Sequence, residues 1–421
     1  MTHARAVSLA DPAEYARGVP YGEFARLRAE DPVAWVAEVD LVRHGADGAR
    51  THRGTGYWAV TRHEAVLAAS RDPAVFSSAE RGAFLADPRT REDLERNRRL
   101  LINMDAPRHT RIRRAVSGAF TPRAVARLHD MVRGHAAAVV ARAVAARDVD
   151  VVTDLAAELP LLVLADLLGM PREDRKLLFD WSNNLVGFDD PRYGDGRIDT
   201  YRRTFVEALR YAAELIARRR RDPGDDLVSR MVAAQAGGEG PTDAELGQLW
   251  LLLVIAGNET TRHLISGAVS ALLDDPAERD RLVADPGLVP TAVEEFLRWV
   301  TPVMQFRRTA TRDTVLDGRR IGAGDKVVLY YASANRDASV FADPDRLDLG
   351  RRDNPHLAFG IGPHFCLGAH LARMEAAEML RALLPHLPGL RRTGPDERMR
   401  SNFMNAITRL PARFGADGGL G

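Results

Sequence analysis

The chain has 421 residues, with 59 Lys and Arg against 58 Asp and Glu, so its formal net charge is only +1. That balance offers no basic footprint for nucleic acid, while 45% apolar residues are enough to fill a core. A single cysteine, Cys366, excludes an internal disulfide and any zinc or iron–sulfur site that needs several thiolates. It fits a reducing compartment, and a cytoplasmic protein is expected. The charged stretch from Met1 to Pro20 has no apolar region of the signal-peptide kind. The longest apolar run, Leu249 to Ala256, falls far short of the ~20 residues that span a bilayer. Without a Ser/Gly/Pro-rich linker, low-complexity block or repeat, one domain over residues 1–421 is expected.

Two short β-type runs, 32–36 and 56–61, open the chain around a polar, Gly-containing loop and read as a sheet edge. Residues 76–103 look irregular. Helical spacing of apolar residues then dominates from about Arg108 to Trp299, with examples at 122–146, 152–168, 202–221 and 243–273. Residues 313–321 read as a hairpin around Asp317-Gly318, and 326–331 as a strand. β-rich parts are thus expected near 32–62 and 303–331. A long irregular stretch, about 336–365, leads to a cysteine loop at 359–368 and a helix running from about Leu367 to Leu384.

The loop reads Phe359-Gly360-Ile361-Gly362-Pro363-His364-Phe365-Cys366-Leu367-Gly368. Isolated cysteines are most often inert buried thiols. Here Gly360, Gly362 and Gly368 let the backbone turn sharply and lie close to a flat ring. A helix start just after Cys366 puts N–H groups and partial positive charge beside the sulfur, which favours a thiolate. Phe359 can act as an apolar cover and His364 as a hydrogen-bond donor. Farther back, Ala256-Gly257-Asn258-Glu259-Thr260 lies inside the longest helical pattern. Gly257 weakens a helix by about 1 kcal/mol relative to Ala. The Thr260 hydroxyl can bond back to a carbonyl a turn earlier, bending the helix and opening its ladder to water. An acid beside an alcohol suits proton delivery.

The Phe-Gly-x-Gly-x-His-x-Cys-x-Gly run resembles the signature of the cytochrome P450 family, and the resemblance extends over essentially the whole chain. It implies a mainly α fold with a minor β portion, the single triangular haem domain of that family. It implies haem b with Cys366 on the iron, O2 as co-substrate, and NAD(P)H used only indirectly, through a ferredoxin or flavodoxin with its reductase. Ala256 and Gly257 would leave space beside the haem. Thr260 would be the oxygen-activating alcohol and Glu259 the acid behind it. His109, Arg113 and Arg308 would hold the propionates, with His364 as a further donor. Arg308 is preferred to Arg307 on the Arg-x-Ala spacing. Glu295 and Arg298, three apart on a helix, would be joined by Arg346 in a buried charge triad that fixes the cysteine loop.

A redox partner would dock on the cysteine side, where Arg111, Arg114, Arg351, Arg352 and Arg373 are candidates to steer it. The pocket walls would fall on Phe84, Leu85, Leu185, Val186, Leu252, Leu253, Val303, Met304, Phe403 and Met404, all apolar, so a hydrophobic small-molecule substrate is expected. Asn258 stands where many relatives carry His. With Phe179-Asp180-Trp181-Ser182-Asn183, Ser333-Ala334-Asn335-Arg336-Asp337 and Asn354-Pro355-His356 it looks like bacterial members that oxidise steroids, branched lipids or terpenoids. A tailoring enzyme for an aromatic, peptide-derived or polyketide scaffold is the alternative. Rivals of other classes are a haem-thiolate peroxygenase or isomerase, which would not need Glu259-Thr260, and a haem sensor without turnover.

Overall fold

In the computed structural model, which describes residues 7–415 apart from 47, 89, 195 and 237–240, the helical periodicity at 243–273 becomes one unbroken helix, Asp243–Asp274. Thr242 starts it. Its hydroxyl accepts from the Glu245 N–H, and the Glu245 carboxylate accepts in return from the Thr242 N–H. Two of the donors that a helix start leaves open are thereby satisfied. The first part of this helix packs with Ile112, Leu164, Trp181 and Leu215 through Leu246 to Val254. The last part packs with Val139, Leu155, Phe296 and Met379 through Leu264 to Leu272. Residues 256–263 lie between these two apolar cores, and there the polar residues concentrate. No helix among the described residues is long and apolar enough to cross a membrane.

The predicted opening strands form Val33–Val36 and Tyr57–Val60, paired antiparallel. Lys326–Tyr330 adds parallel to the second, Gln305–Ala310 adds antiparallel to that, and Phe76–Ser77 closes the five-stranded sheet. Successive side chains of a strand point to opposite faces. In the register Val328 opposite Arg307 and Val327 opposite Arg308, one face therefore takes Arg307 and Lys326, the other Phe306 and Arg308. Asp317 and Gly318 adopt φ of 47° and 77°, the left-handed pair that joins Thr314–Leu316 to Arg319–Ile321.

Four expectations need correction. The opening loop folds into its own hairpin, Leu41–Gly45 with Gly48–His52. The 76–103 stretch contains a helix, Arg91–Asn97, capped by the Thr90 hydroxyl. The 122–146 segment breaks at 127–128 into Pro122–Ala126 and His129–Ala146. Residues Val151–Ala156 form a wide π turn ahead of Glu158–Leu168.

The cysteine loop is anchored by the helix Val289–Val300. Glu295 and Arg298 are both fully buried and paired at 2.7 Å. All five guanidinium donors of Arg298 are used: two bonds go to Glu295 and three to the carbonyls of Asn335, Pro344 and Arg346. The remaining Glu295 contacts come from Arg351 Nε at 3.1 Å, Asn354 Nδ2 at 3.1 Å and the Asp348 N–H at 3.0 Å. Arg351, not Arg346, is therefore the third member of the triad. The chain turns back at Asp343, whose φ is 45°. Arg346 follows with its carbonyl turned in and its side chain exposed. Removing one partner of such a cluster leaves a buried charge uncompensated. Arg351→Ala should lower unfolding stability by about 3 kcal/mol in urea titrations. Arg346→Ala should change it by less than about 0.5 kcal/mol, as ordinary surface substitutions do.

Candidate active site

The cysteine loop is built from close backbone approaches. The Cys366 N–H donates to the Phe359 carbonyl at 2.9 Å, and the Phe365 N–H to the Gly362 carbonyl at 3.0 Å. Gly362 has φ of 75°, and a Cβ there would lie 2.5 Å from the Ser70 carbonyl oxygen, so only glycine fits. Gly360 is also left-handed, at 67°. Gly368 is not; a Cβ on it would meet nothing within 4 Å, so one side of the cysteine turn faces open space. Its N–H reaches the sulfur just before the helix Ala369–Leu383 begins. The thiol is nevertheless pushed up. Burial outweighs the Gly368 N–H and the charges of Arg113 and Arg373, contrary to the thiolate expected from the helix start alone. Phe359 packs edge-on against Phe365 at 6.2 Å, with the Arg373 guanidinium 4.6 Å above its ring.

Basic groups converge beside this loop. Arg113 donates to the Phe365 carbonyl at 2.6 Å, and Arg308 to the Arg307 carbonyl at 2.8 Å. The rings of His109 and His364 lie 4.3 Å apart. His109 Nε2 is buried without a partner. Burial, then Arg308, His109 and Arg113, push His364 down to about 2. Among the described residues no carboxylate forms an ion pair with Arg113, Arg308 or His364, whereas Arg108 and Arg111 pair with Glu245, and Arg307 with Asp87. Arg113, Arg308 and His364 are thus left without a paired carboxylate, which the two propionates of a haem would supply, and the orphaned His109 nitrogen would gain a partner. The residues present fit that group.

On the long helix, Leu252, Leu253, Ala256 and Thr260 recur at helical spacing and keep some exposure, while Val254, Asn258 and Glu259 around them are buried. The Thr260 hydroxyl donates to the Ala256 carbonyl at 2.7 Å. The helix nonetheless continues unbroken, so the expected opening of its ladder is absent. Gly257 does not face this stripe either. A Cβ there would meet Leu164 at 2.9 Å, so its small size serves helix packing.

Glu259 sits in a buried polar knot that the sequence did not disclose. Arg262 donates to its carboxylate, His263 Nε2 lies 3.3 Å from it, and Asn258 donates at 3.5 Å. Arg262 also donates to Asn183 at 3.0 Å, and Asn258 to Ser182 at 2.7 Å, both on the helix Arg175–Val186. Burial would raise the Glu259 carboxyl, but Arg262 and then His263 overcome this and hold it below its ordinary range. The signal was present as acid, base and imidazole within five residues, Glu259 to His263, but i, i+3 pairs are common on solvated helix faces.

Of the apolar pocket residues, Phe84, Leu85, Val186, Leu252, Leu253, Val303 and Phe403 keep some exposure. Met304 is fully buried in the cluster of Leu9, Tyr15 and Phe24, and Leu185 and Met404 are also core residues. Strand parity explains the first: Val303 bridges Met404, which sends Met304 to the other side. On the cysteine side, Arg351 is nearly buried against Glu295, so it is corrected from a surface candidate to a structural one, while Arg111 and Arg373 pair with Glu245 and Glu294 and keep exposed surface. Arg114 and Arg352 are exposed.

Residues 194–407 match the family model described as Cytochrome P450. A steroid C26-monooxygenase of Mycobacterium tuberculosis (strain H37Rv) is 41% identical over 404 residues, covering 94% of this chain and 90% of the relative. A methyl-branched lipid omega-hydroxylase of the same organism is 41% identical over 398 residues, covering 93% and 90%. The solved structure of a Mycobacterium marinum cytochrome P450 in complex with pseudoionone superposes with a TM-score of 0.88 at 39% identity, covering 98% of this chain and all of that one. The chain belongs to the cytochrome P450 family. It is a haem monooxygenase that uses haem b, O2 and electrons drawn from NAD(P)H through redox partners.

His263 is pushed down to about 4 by burial and the Arg262 charge, against the pull of Glu259. Its folded value lies below the unfolded value of roughly 6.5, so the unfolded chain binds the proton first and stability falls as pH drops from about 6.5 toward 4. Urea midpoints between pH 7 and 4.5 should fall less steeply in His263→Gln than in the parent.

Proposed function

We propose that this monooxygenase, a single haem domain, oxidises a steroid, a terpenoid or a methyl-branched lipid, with Cys366 as the axial thiolate. The observation that carries the reading is the mouth built by the partly exposed rings of Phe84, Phe306 and Phe403, which pack edge to face at 5.4–6.2 Å. An apolar wall of this kind binds by excluding water and offers few groups to orient a polar ligand. The relatives that act on steroids and branched lipids, and the pseudoionone complex, support the same class. A polyketide or peptide-derived scaffold would call for more polar contacts than this mouth supplies.

When bound, the haem supplies the redox centre at which O2 is activated. The chain's own residues set the conditions. Arg113, Arg308 and His109 would hold the propionates. Cys366 would ligate the iron as a thiolate, a state that burial disfavours in the loop alone. Thr260 turns its hydroxyl proton between the Ala256 carbonyl and the cavity. Glu259 is ionised by Arg262, so it passes protons by taking them from water before releasing them, rather than by storing one. Electrons come from an acidic ferredoxin or flavodoxin steered by Arg114 and Arg352, and the protein works in the cytoplasm.

Titration of the ferric enzyme should show displacement of iron-bound water, read as a blue-shifted Soret band, with a steroid that retains C26, a methyl-branched fatty acid or pseudoionone. Shifts only with polyketide or peptide scaffolds would overturn the substrate class. Thr260→Ala should keep electron consumption while product formation falls on the order of 10²-fold, the lower range for a positioned proton donor. Unchanged product per NAD(P)H would remove Thr260 from proton delivery.

A further inference from the structure

Gln305–Ala310 carries two adjacent arginines that the sheet sends opposite ways. Arg308 shares a face with Phe306, and Arg307 shares the other with Lys326. Arg307 is 2% exposed, yet it reaches no acid on its own strand or on the next. Its partners lie on the segment 83–87. The Arg307 N–H donates to the Ala83 carbonyl at 2.8 Å, and its Nη1 to the Leu85 carbonyl at 3.3 Å and to Asp87 Oδ1 at 2.7 Å. Lys326 takes the other Asp87 oxygen at 2.7 Å and is held from the far side by Glu38 at 2.8 Å.

Phe84 and Leu85 lie between these fastenings. The Phe84 ring packs on Phe403 and Phe306 but remains 38% exposed. Two nearly buried cations thus depend on one carboxylate at the end of the segment. Lys326 keeps Glu38 if Asp87 leaves, whereas Arg307 keeps no ion-pair partner. Burying an unpaired guanidinium is costly, so the electrostatics hold the segment, and with it the Phe84 ring, against the sheet.

We propose that Asp87 is a specificity-determining positioning residue: by bridging Arg307 and Lys326 it fixes how far Phe84 reaches over the substrate mouth, and so limits the size of ligand the enzyme holds. This rests on the reading that Phe84 belongs to the pocket wall.

The test uses the haem-loaded enzyme and azoles that ligate iron directly, imidazole and the bulky clotrimazole, with Kd read from the red-shifted Soret band. This separates the outcome from the identity of the substrate. Asp87→Asn should change the clotrimazole-to-imidazole Kd ratio by roughly fivefold or more, the scale of coupling through a neighbouring network. Glu38→Gln, which loosens Lys326 and Thr55 but leaves the Asp87 bonds to Arg307 and Lys326 in place, should lower the Tm but leave the ratio within about twofold of the parent. An unchanged ratio in Asp87→Asn, or an equal change in Glu38→Gln, would overturn the proposal and leave Asp87 a purely structural clamp. Phe84→Ala checks the underlying reading: an unchanged ratio there sinks the pocket assignment itself. If Asp87→Asn does not load haem, Asp87→Glu, which keeps the charge on a longer arm, should itself change the ratio by more than about twofold, and an unchanged ratio overturns the proposal.

Discussion

Two adjacent carboxylates at the centre of one helix hold the cysteine loop from both sides. Glu295 gathers Arg298, Arg351, Asn354 and the Asp348 N–H, all from the approach to the loop or from its own helix. Glu294 takes Arg373 at 2.6 Å, from the helix that leaves the loop, and His356 at 3.1 Å, from the approach. Burial would raise the Glu294 carboxyl, but His356 and Arg373 bring it down to about 2. The long irregular stretch before Cys366 has few ladder hydrogen bonds of its own, so its backbone must be organised by side chains. Arg298 does this directly, taking three carbonyls of that stretch on one planar group. Every other placement around the sulfur, from the Phe359 carbonyl under the Cys366 N–H to Arg373 over the Phe359 ring, assumes that this anchorage is in place.

What could be read from the sequence was whatever is local. The Asp317-Gly318 turn, the long helix and the cysteine loop are each written in contiguous residues, because turn chemistry, apolar periodicity and close backbone approaches act over a few positions. What failed required knowing where the chain goes between elements. Arg346 and Arg351 are five residues apart in one irregular stretch, and only the reversal at Asp343 decides which side chain faces Glu295. Met304 and Val303 differ by one position in an extended segment, and parity exchanges wall for core. Gly257 was legible as a small residue but not as the seat of Leu164, which belongs to a helix some ninety residues earlier. The family resemblance named neighbourhoods along the chain, while side-chain direction within them depended on packing.

The sulfur and the acid on the long helix share one lesson in electrostatics. Each is buried in surroundings that disfavour its charge, and each depends on a cation brought by something else. For Glu259 that cation is Arg262, one turn along the same helix. For Cys366 the protein's own N–H and guanidinium groups do not offset burial, so under the proposed assignment its thiolate would depend on the charge of the bound iron.

That Glu259 keeps its counterion on its own helix has a mechanical consequence. The helix Arg175–Val186 meets the knot through Ser182 and Asn183, which accept hydrogen bonds from Asn258 and Arg262, and through the Phe179 ring, 5.3 Å from the Arg262 guanidinium. Leu178 and Trp181 seat the helix itself in the apolar core, but its Ser182–Asn183 turn can shift without separating a buried ion pair, at a cost of about 1–3 kcal/mol per bond rather than that of stranding a charge. Adjustment is thus confined to the polar turn of this helix, and the charge balance beneath it stays intact.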